Sequence, residues 1–403
     1  MNNAGKKVLF VAATRQHVGK TTVSLGLISG LKKRFKNVGF IKPVGQQHER
    51  TAGGVLVDKA RQEKEQQRLC LDVSLMKEFF GLKCRYEDMS PVLIPAGYTR
   101  DYIDGKITAG DQLKDVHTAF QNVMDESDVV VLEGTGHTAV GSVVDLNNAQ
   151  VAKALNADMI LVANGGLGSA YDELELNRGI CEKYGIKVRG VVLNKVVPDK
   201  LQMVKEYFGK LLKSWDVPLL GVVPDESYLA RPSLIDLEKI FKTKLLAGFE
   251  NRRQPHYSIK QTHLAATDLN VFLEKLECAP PNPLVVTHCT RDDIVLGFLA
   301  HARNSKERGH IFGGAMVLTG LDLRPMGYVE ELLKMHDIPV IVSNLSTFDT
   351  MDRIRRQGNS CTYTPKLHKE DEVRVRLAVS HYEPHIDFDT LLRPTDNSSG
   401  GAS

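Results

Sequence analysis

The sequence predicts an α/β protein: a doubly wound, mainly parallel sheet, followed by a second, smaller α/β domain. Three observations lead there. Residues 7–31 read as strand, polar turn, Gly-Lys-Thr and helix. Short apolar runs then recur as far as residue 224, separated by helix-favouring stretches. A second cadence of the same kind begins after a polar, proline-ending stretch at 250–255. Alternating strands and helices at this spacing give parallel sheets with right-handed crossovers.

Length and composition fit this division. The chain has 403 residues, beyond the ~250–300 at which one core stops growing. We expect a first domain over 1–249, a linker over 250–265, a second domain over 266–365 and a C-terminal extension over 366–403. The Ser/Gly-rich end, Thr395 to Ser403, is expected to be disordered. Hydrophobic residues make up 42% and charged ones 25%, and the net charge is only +3 from 52 basic and 49 acidic residues. That balance argues against nucleic acid or an anionic membrane as partner. The basic run Lys32–Lys36 reads as the end of the first helix, where cations suit the dipole. Six cysteines, none in C-x-x-C spacing, fit a reducing compartment and no zinc knuckle. No apolar run reaches the ~18–20 residues of a membrane span. The first strand begins near residue 7, which leaves no room for a targeting peptide. The expected location is the cytoplasm, or an organelle matrix if a presequence has been removed.

The first stretch carries the chemistry. The apolar run Val8–Ala12 suits a buried strand, and Val23, Leu27, Leu31 and Phe35 mark one helix face. Between them lie the turn Thr14–His17 and then Val18-Gly19-Lys20-Thr21-Thr22. This is the layout of a phosphate-binding loop (P-loop). Backbone N–H groups and the helix N-terminus face the phosphates, the lysine adds a point charge, and the first hydroxyl holds Mg²⁺. Candidate nucleotide contacts are therefore His17, Val18, Gly19, Lys20, Thr21 and Thr22. The strict pattern wants glycine at position 14, where this chain has Thr14.

Further along, Asn37–Val44 reads as a short strand broken by Pro43, with Lys42 at its C-terminal end. Ligands of open α/β sheets bind at such ends. Residues 46–128 are polar and mostly helix-favouring, and Asp58 there reads as an exposed acid at a helix start. The run Asp128–Leu132 fits a strand buried on both faces, and it ends in Glu133-Gly134-Thr135-Gly136-His137. A carboxylate at Glu133 lies on the phosphate-loop edge and can reach Mg²⁺. Strands follow at Met159–Ala163, Val188–Lys195 and Pro218–Pro224, with helices at Tyr171–Tyr184 and Asp199–Trp215 between them. In the second domain, strands are expected at Pro283–Thr287, Ala315–Gly320 and Ile338–Ser343. Helices are expected at Ile294–Arg303, Val329–Met335 and Thr347–Arg356.

These motifs together resemble the dethiobiotin synthetase and cobyrinic acid a,c-diamide synthase branch of P-loop proteins. The similarity is greatest to the dethiobiotin-synthetase-like N-terminal module of some phosphotransacetylases. It rests on Gly-Lys-Thr, Ile41-Lys42-Pro43-Val44, Glu133-Gly134-Thr135-Gly136, Gly166-Leu167-Gly168-Ser169, Val192-Leu193-Asn194 and Gly221-Val222-Val223-Pro224. The family spaces its loop one residue longer, which puts Ala13 at the leading position. The resemblance implies a P-loop NTPase-like fold with ATP and Mg²⁺. Gly19, Lys20 and Thr21 would hold the phosphates, while Thr21, Asp58 and Glu133 would hold the metal. Asn194 would contact the adenine, and the backbone at Pro224 would lie against it. Lys42 would face the substrate or transferred phosphoryl group, so Lys20 and Lys42 are the candidate catalytic residues. Residues from about 255 to 360 resemble the DRTGG module through Thr290–Ile294 and Leu318–Asp322. In phosphotransacetylases such modules accompany the first domain and are thought to be regulatory.

Two functions follow from the resemblance. One is an ATP-dependent ligase or ATPase that activates a carboxylate or carbamate of an unidentified small molecule. The other is a nucleotide-binding regulatory or scaffold protein related to the non-catalytic part of phosphotransacetylase. Related enzymes imply a homodimer or higher homo-oligomer.

Overall fold

The computed structural model describes residues 6–45, 48–50, 68–229, 232–254, 257, 259, 261–280, 282–320, 327–356 and 367–393. The chain forms two compact units. The first runs to Asp225 and takes up the chain again from Leu377, and the second is Glu226–Arg376.

The first unit is built on a parallel sheet. Its strands are β1 (Lys7–Ala13), β2 (Val38–Ile41), β3 (Val129–His137), β4 (Asp158–Asn164), β5 (Val188–Val196) and β6 (Leu219–Pro224). Their order across the sheet is β6-β5-β4-β1-β3-β2. The central strands are covered on both faces, which is why they read as unbroken apolar runs: Leu9 to Ala13, Val129 to Leu132 and Met159 to Ala163 are all buried. The order reverses direction beside β1, and the phosphate loop leaves β1 at that switch point. In register, Phe10 lies opposite Leu132 and Val11 opposite Glu133, while Ile41 is level with Leu132. The ends of β1 and β2 therefore bring the loop and Lys42 to one edge, and they meet Glu133 part-way along β3, which does not end at Glu133 as its apolar run suggests but continues to His137.

Helix α1 (Lys20–Lys32) follows the loop. The apolar spacing predicts a single buried face continuing to Phe35. Instead the helix ends at Lys32, and Val23, Ser24, Leu25, Gly26, Leu27, Ile28, Gly30 and Leu31 are all buried. Burial runs round the helix because residues 382–388 cover its other side. An added Cβ at Gly26 would meet Tyr382 Cβ at 2.8 Å, and one at Gly30 would meet the Phe388 ring at 2.0 Å. The same segment closes on β6: Asp387 N–H donates to Leu220 O at 2.7 Å, and Arg189 Nε donates to Leu391 O at 2.9 Å. The Ser/Gly-rich end lies outside the described residues.

The second unit holds a smaller sheet of β7 (Leu245–Ala247), β8 (Gln261–Leu264), β9 (Pro283–His288), β10 (Ala315–Thr319) and β11 (Val340–Ser343). Its order is β7-β11-β10-β9-β8, parallel except for β7 on β11. The strand β8 falls within the stretch 250–265 that composition marked as a linker. Apolar clusters pack both faces, one around Phe298 and Met316 and the other around Leu237 and Leu284. Asp236, buried, accepts hydrogen bonds from Ser233 N–H at 2.8 Å and from Arg374 Nη1 at 3.3 Å, and pairs with His368 Nε2 at 2.9 Å. Among the described residues, no helix is long and apolar enough to cross a membrane.

Candidate functional site

The loop between β1 and α1 is held by its carbonyls. Lys195 Nζ donates to His17 O at 2.9 Å, Asn194 Nδ2 donates to Val18 O at 2.7 Å, and Thr22 Oγ1 donates to Gly19 O at 2.7 Å. In a planar trans peptide, each carbonyl points opposite to the next residue's N–H. Holding these three carbonyls therefore turns the N–H groups of Val18, Gly19 and Lys20 to the other side of the loop, as a phosphate cradle requires. The backbone bends sharply to do this. Gly19 has φ 99°, and a Cβ there would lie 2.4 Å from Asn194 Nδ2. His17 has φ 62°, a left-handed conformation that is costly for a residue with a side chain.

Thr14 departs from the strict pattern without straining the loop. Its φ is not among the positive values. Its N–H donates to Val162 O at 2.9 Å, its hydroxyl donates to Glu173 Oε2 at 2.7 Å, and its carbonyl accepts from Asn177 Nδ2 at 3.1 Å. Arg15, mostly exposed, pairs with Glu173 at 3.5 Å. A polar residue in ordinary backbone thus fixes the loop's start to the helix Gly168–Lys183.

The charged groups gather beyond the loop. Glu133 is fully buried; its Oε1 accepts from Thr21 Oγ1 at 2.9 Å and from Lys42 Nζ at 3.5 Å. Its Oε2 is buried with no partner among the described residues. Lys42 also pairs with Asp72, at the start of the helix Leu71–Phe80. Burial opposes the charge on Lys42, but the Asp72 and Glu133 carboxylates outweigh it and hold its pKa above the ordinary lysine value. Lys20 goes the other way. Its burial lowers its pKa, Glu133 and Asp72 work against that, and Lys42 adds to it.

The sequence-predicted residues converge in part. Lys20, Thr21, Lys42 and Glu133 share one edge, and Thr22 turns back onto Gly19. Asn194 lies beside the loop with its amide committed: Nδ2 donates to Val18 O and Oδ1 accepts from Lys195 N–H at 2.8 Å. Pro224 O pairs with His381 Nε2 at 2.9 Å. Asp58 lies outside the described residues. Asp72 and Lys195 were missed. Lys195 follows directly on the Val-Leu-Asn motif, so its position was the one available signal. Asp72 is brought in by tertiary structure alone.

Known proteins align with this chain along its length. It is 27% identical to phosphate acetyltransferase of Pseudomonas aeruginosa over 406 aligned residues, covering 95% of this chain and 51% of that protein. The chain thus spans about half the length of the curated relatives it matches. It is 27% identical to the ATP-dependent dethiobiotin synthetase BioD of Methanococcus vannielii over 235 residues, covering 58% of this chain and 99% of that one. Among solved structures, the MinC:MinD cell division protein complex of Aquifex aeolicus is similar at 14% identity with a TM-score of 0.34, covering 55% of this chain and 83% of that one. Residues 236–357 match the DRTGG domain. With its P-loop fold over residues 7–233, the chain belongs to the AAA domain family.

Proposed function

We propose that the chain binds ATP with Mg²⁺ at its phosphate loop and uses the γ-phosphate to activate a carboxylate or carbamate, as an ATPase or ligase-type enzyme. The observation that carries this reading is the convergence of Lys20, Thr21, Lys42 and Glu133 at the edge where the loop's N–H groups are turned outward. Phosphoryl transfer asks for charge placed around the phosphates and for little covalent help. Lys20 would meet the phosphates, and Lys42 would face the acceptor or the transferred group. Pro224 and Asn194 would lie on the adenine side.

The residues present fit Mg²⁺. A buried carboxylate oxygen with no partner among the described residues, next to a threonine hydroxyl, suits a hard cation. Mg²⁺ takes one or two protein oxygens and fills its remaining positions with phosphate and water. Thr21 and Glu133 would hold it, directly or through water, and bound there it would neutralise charge between the phosphates. Among the described residues no group of three or more His, Cys, Asp or Glu could hold a metal by itself. Asp58, as a further ligand, rests on the resemblance alone. The reading includes a small-molecule substrate or effector, and self-association into a homodimer or higher oligomer.

A second reading, a nucleotide-sensing regulatory protein, is favoured by one observation. Lys42 is already engaged by both Asp72 and Glu133, so an acceptor would have to compete for its charge. Phosphate release from ATP, measured with and without added amines, carboxylates and bicarbonate, separates the two. Turnover that Lys20→Ala abolishes and an acceptor accelerates supports the enzyme. Binding of ATP with no turnover under any acceptor supports the sensor.

A further inference from the structure

The strand β3 does not run evenly past β1. Val11 pairs with Glu133 and Ala13 with His137, so the step from 11 to 13 in β1 faces the step from 133 to 137 in β3. The extra residues of β3 bulge immediately after the buried carboxylate of Glu133, and Gly136 turns there with φ 66°. Backbone groups in a bulge lose their ladder partners. What replaces those partners decides how firmly Glu133 is placed.

A side-chain amide takes their place. Asn148, buried, opens the helix Asn148–Ala154, whose own cap is Asn147. Its Oδ1 accepts from Thr135 N–H at 3.2 Å, and its Nδ2 donates to Thr135 O at 2.9 Å and to His137 O at 2.7 Å. Only this orientation of the amide satisfies all of these contacts. It lies so close to the strand that a Cβ at Gly134 would meet Asn148 Oδ1 at 2.6 Å. Thr135 passes the restraint on, because its hydroxyl donates to Val44 O at 2.6 Å, just beyond Lys42 in the chain. The bulge is thereby fixed to Asn148 on one side and to the segment carrying Lys42 on the other. Lys42 Nζ and Glu133 Oε1 stand 3.5 Å apart beside it.

We propose that Asn148 is a positioning residue for the metal side of the nucleotide site: by holding the bulge at Thr135 and His137, it fixes Glu133 against Lys42 and so sets where Mg²⁺ and the γ-phosphate meet. The inference rests on the ATP-binding reading above. The hydrogen bonds of the Asn148 amide lie on β3 and not on the carbonyls of the phosphate loop. Its effect therefore belongs to the part of binding that Mg²⁺ supplies, and not to the cradle itself.

The test compares wild type with Asn148→Leu, which keeps the size and removes the amide, and with Thr135→Val, which keeps the shape and removes the hydroxyl. Dissociation constants for ATP are measured by calorimetry with Mg²⁺ and again with excess EDTA. In each protein the ratio of the two constants is the gain from Mg²⁺. Asn148→Leu is expected to cut that gain by about five- to tenfold, and Thr135→Val by less, with affinity in EDTA kept within about twofold of wild type. Equal weakening with and without Mg²⁺ would show a merely structural role and overturn the proposal, as would an unchanged gain in either variant. Should Asn148→Leu fail to fold, Thr135→Val decides alone. A wild type that gains nothing from Mg²⁺ would overturn the metal part of the reading above, and the proposal with it. A wild type that binds no ATP would overturn that reading as a whole.

Discussion

The side-chain amide of Asn194 donates to the backbone carbonyl of Val18 at 2.7 Å, across 176 residues of sequence. That bond, with those of Lys195 and Thr22 to the neighbouring carbonyls, makes the phosphate loop a latched structure. The proposed cradle does not depend on glycine at position 14, because it is the orientation of the Val18, Gly19 and Lys20 N–H groups that would meet phosphate.

Gly19→Ala is expected to abolish this arrangement. The new Cβ would lie 2.4 Å from Asn194 Nδ2, and φ of 99° disfavours any side chain. Strain of this kind costs about 1–3 kcal/mol. The variant should stay folded by circular dichroism and lose ATP binding by more than about tenfold, since a one-unit step in log affinity takes only about 1.4 kcal/mol.

How much of this was legible follows from the range of each interaction. Lys42 after its strand and Glu133 after its apolar run could be read because both signals are local, although the strand holding Glu133 continues to His137. Thr14 looked like a defect, since sequence shows neither its φ nor its bonds to Glu173 and Asn177. The covering of α1 was hidden for a similar reason. Gly26 and Gly30 lie one helical turn apart, a small-residue groove, but nothing local says that Phe388 fills it. Asp72 enters from a part of the chain whose pattern is loosely matched, and only the fold brings it to Lys42. In the second unit, β9, β10 and β11 were plain as apolar runs, whereas β7 and β8 were not, and the buried Asp236–Arg374 pair joins residues 138 apart.

Glu133→Gln should separate metal from phosphate. The amide keeps the shape and can still accept from Thr21, but it lacks the carboxylate charge. ATP affinity is expected to lose most of its dependence on Mg²⁺ in a titration with and without EDTA. An unchanged Mg²⁺ dependence would remove Glu133 from the metal site.

The lowered pKa of Lys20 has a signed consequence. The unfolded lysine titrates near 10.5 and the folded one below it, mainly through burial. Between the two, the unfolded chain holds more protons, so stability of the free protein rises with pH across that window and falls as Lys20 is charged on acidification. Phosphates arriving beside Lys20 favour its charged form, so ATP binding in the window should take up a proton. Calorimetry in two alkaline buffers of different ionisation enthalpy measures it, and Lys20→Met should abolish the uptake.

Phe388→Ala would empty the groove at Gly30. Deleting a buried phenyl ring costs about 3–5 kcal/mol. Denaturation in urea should show a loss of that order, and ATP should then restore less stability than it does in wild type.

Asp236→Ala would remove the buried carboxylate that Arg374 and His368 both contact. Breaking a buried pair from one side costs about 3–5 kcal/mol, read as a lower urea midpoint. Nucleotide affinity at the first unit is expected to stay within about twofold, because substitutions without shared partners are usually independent.

The most direct measurement is calorimetric titration of the 403-residue chain with ATP and Mg²⁺, beside Lys20→Ala. The account predicts saturable binding to wild type that weakens when Mg²⁺ is removed and disappears in Lys20→Ala. Equal binding by the two proteins, or none by wild type, would contradict it.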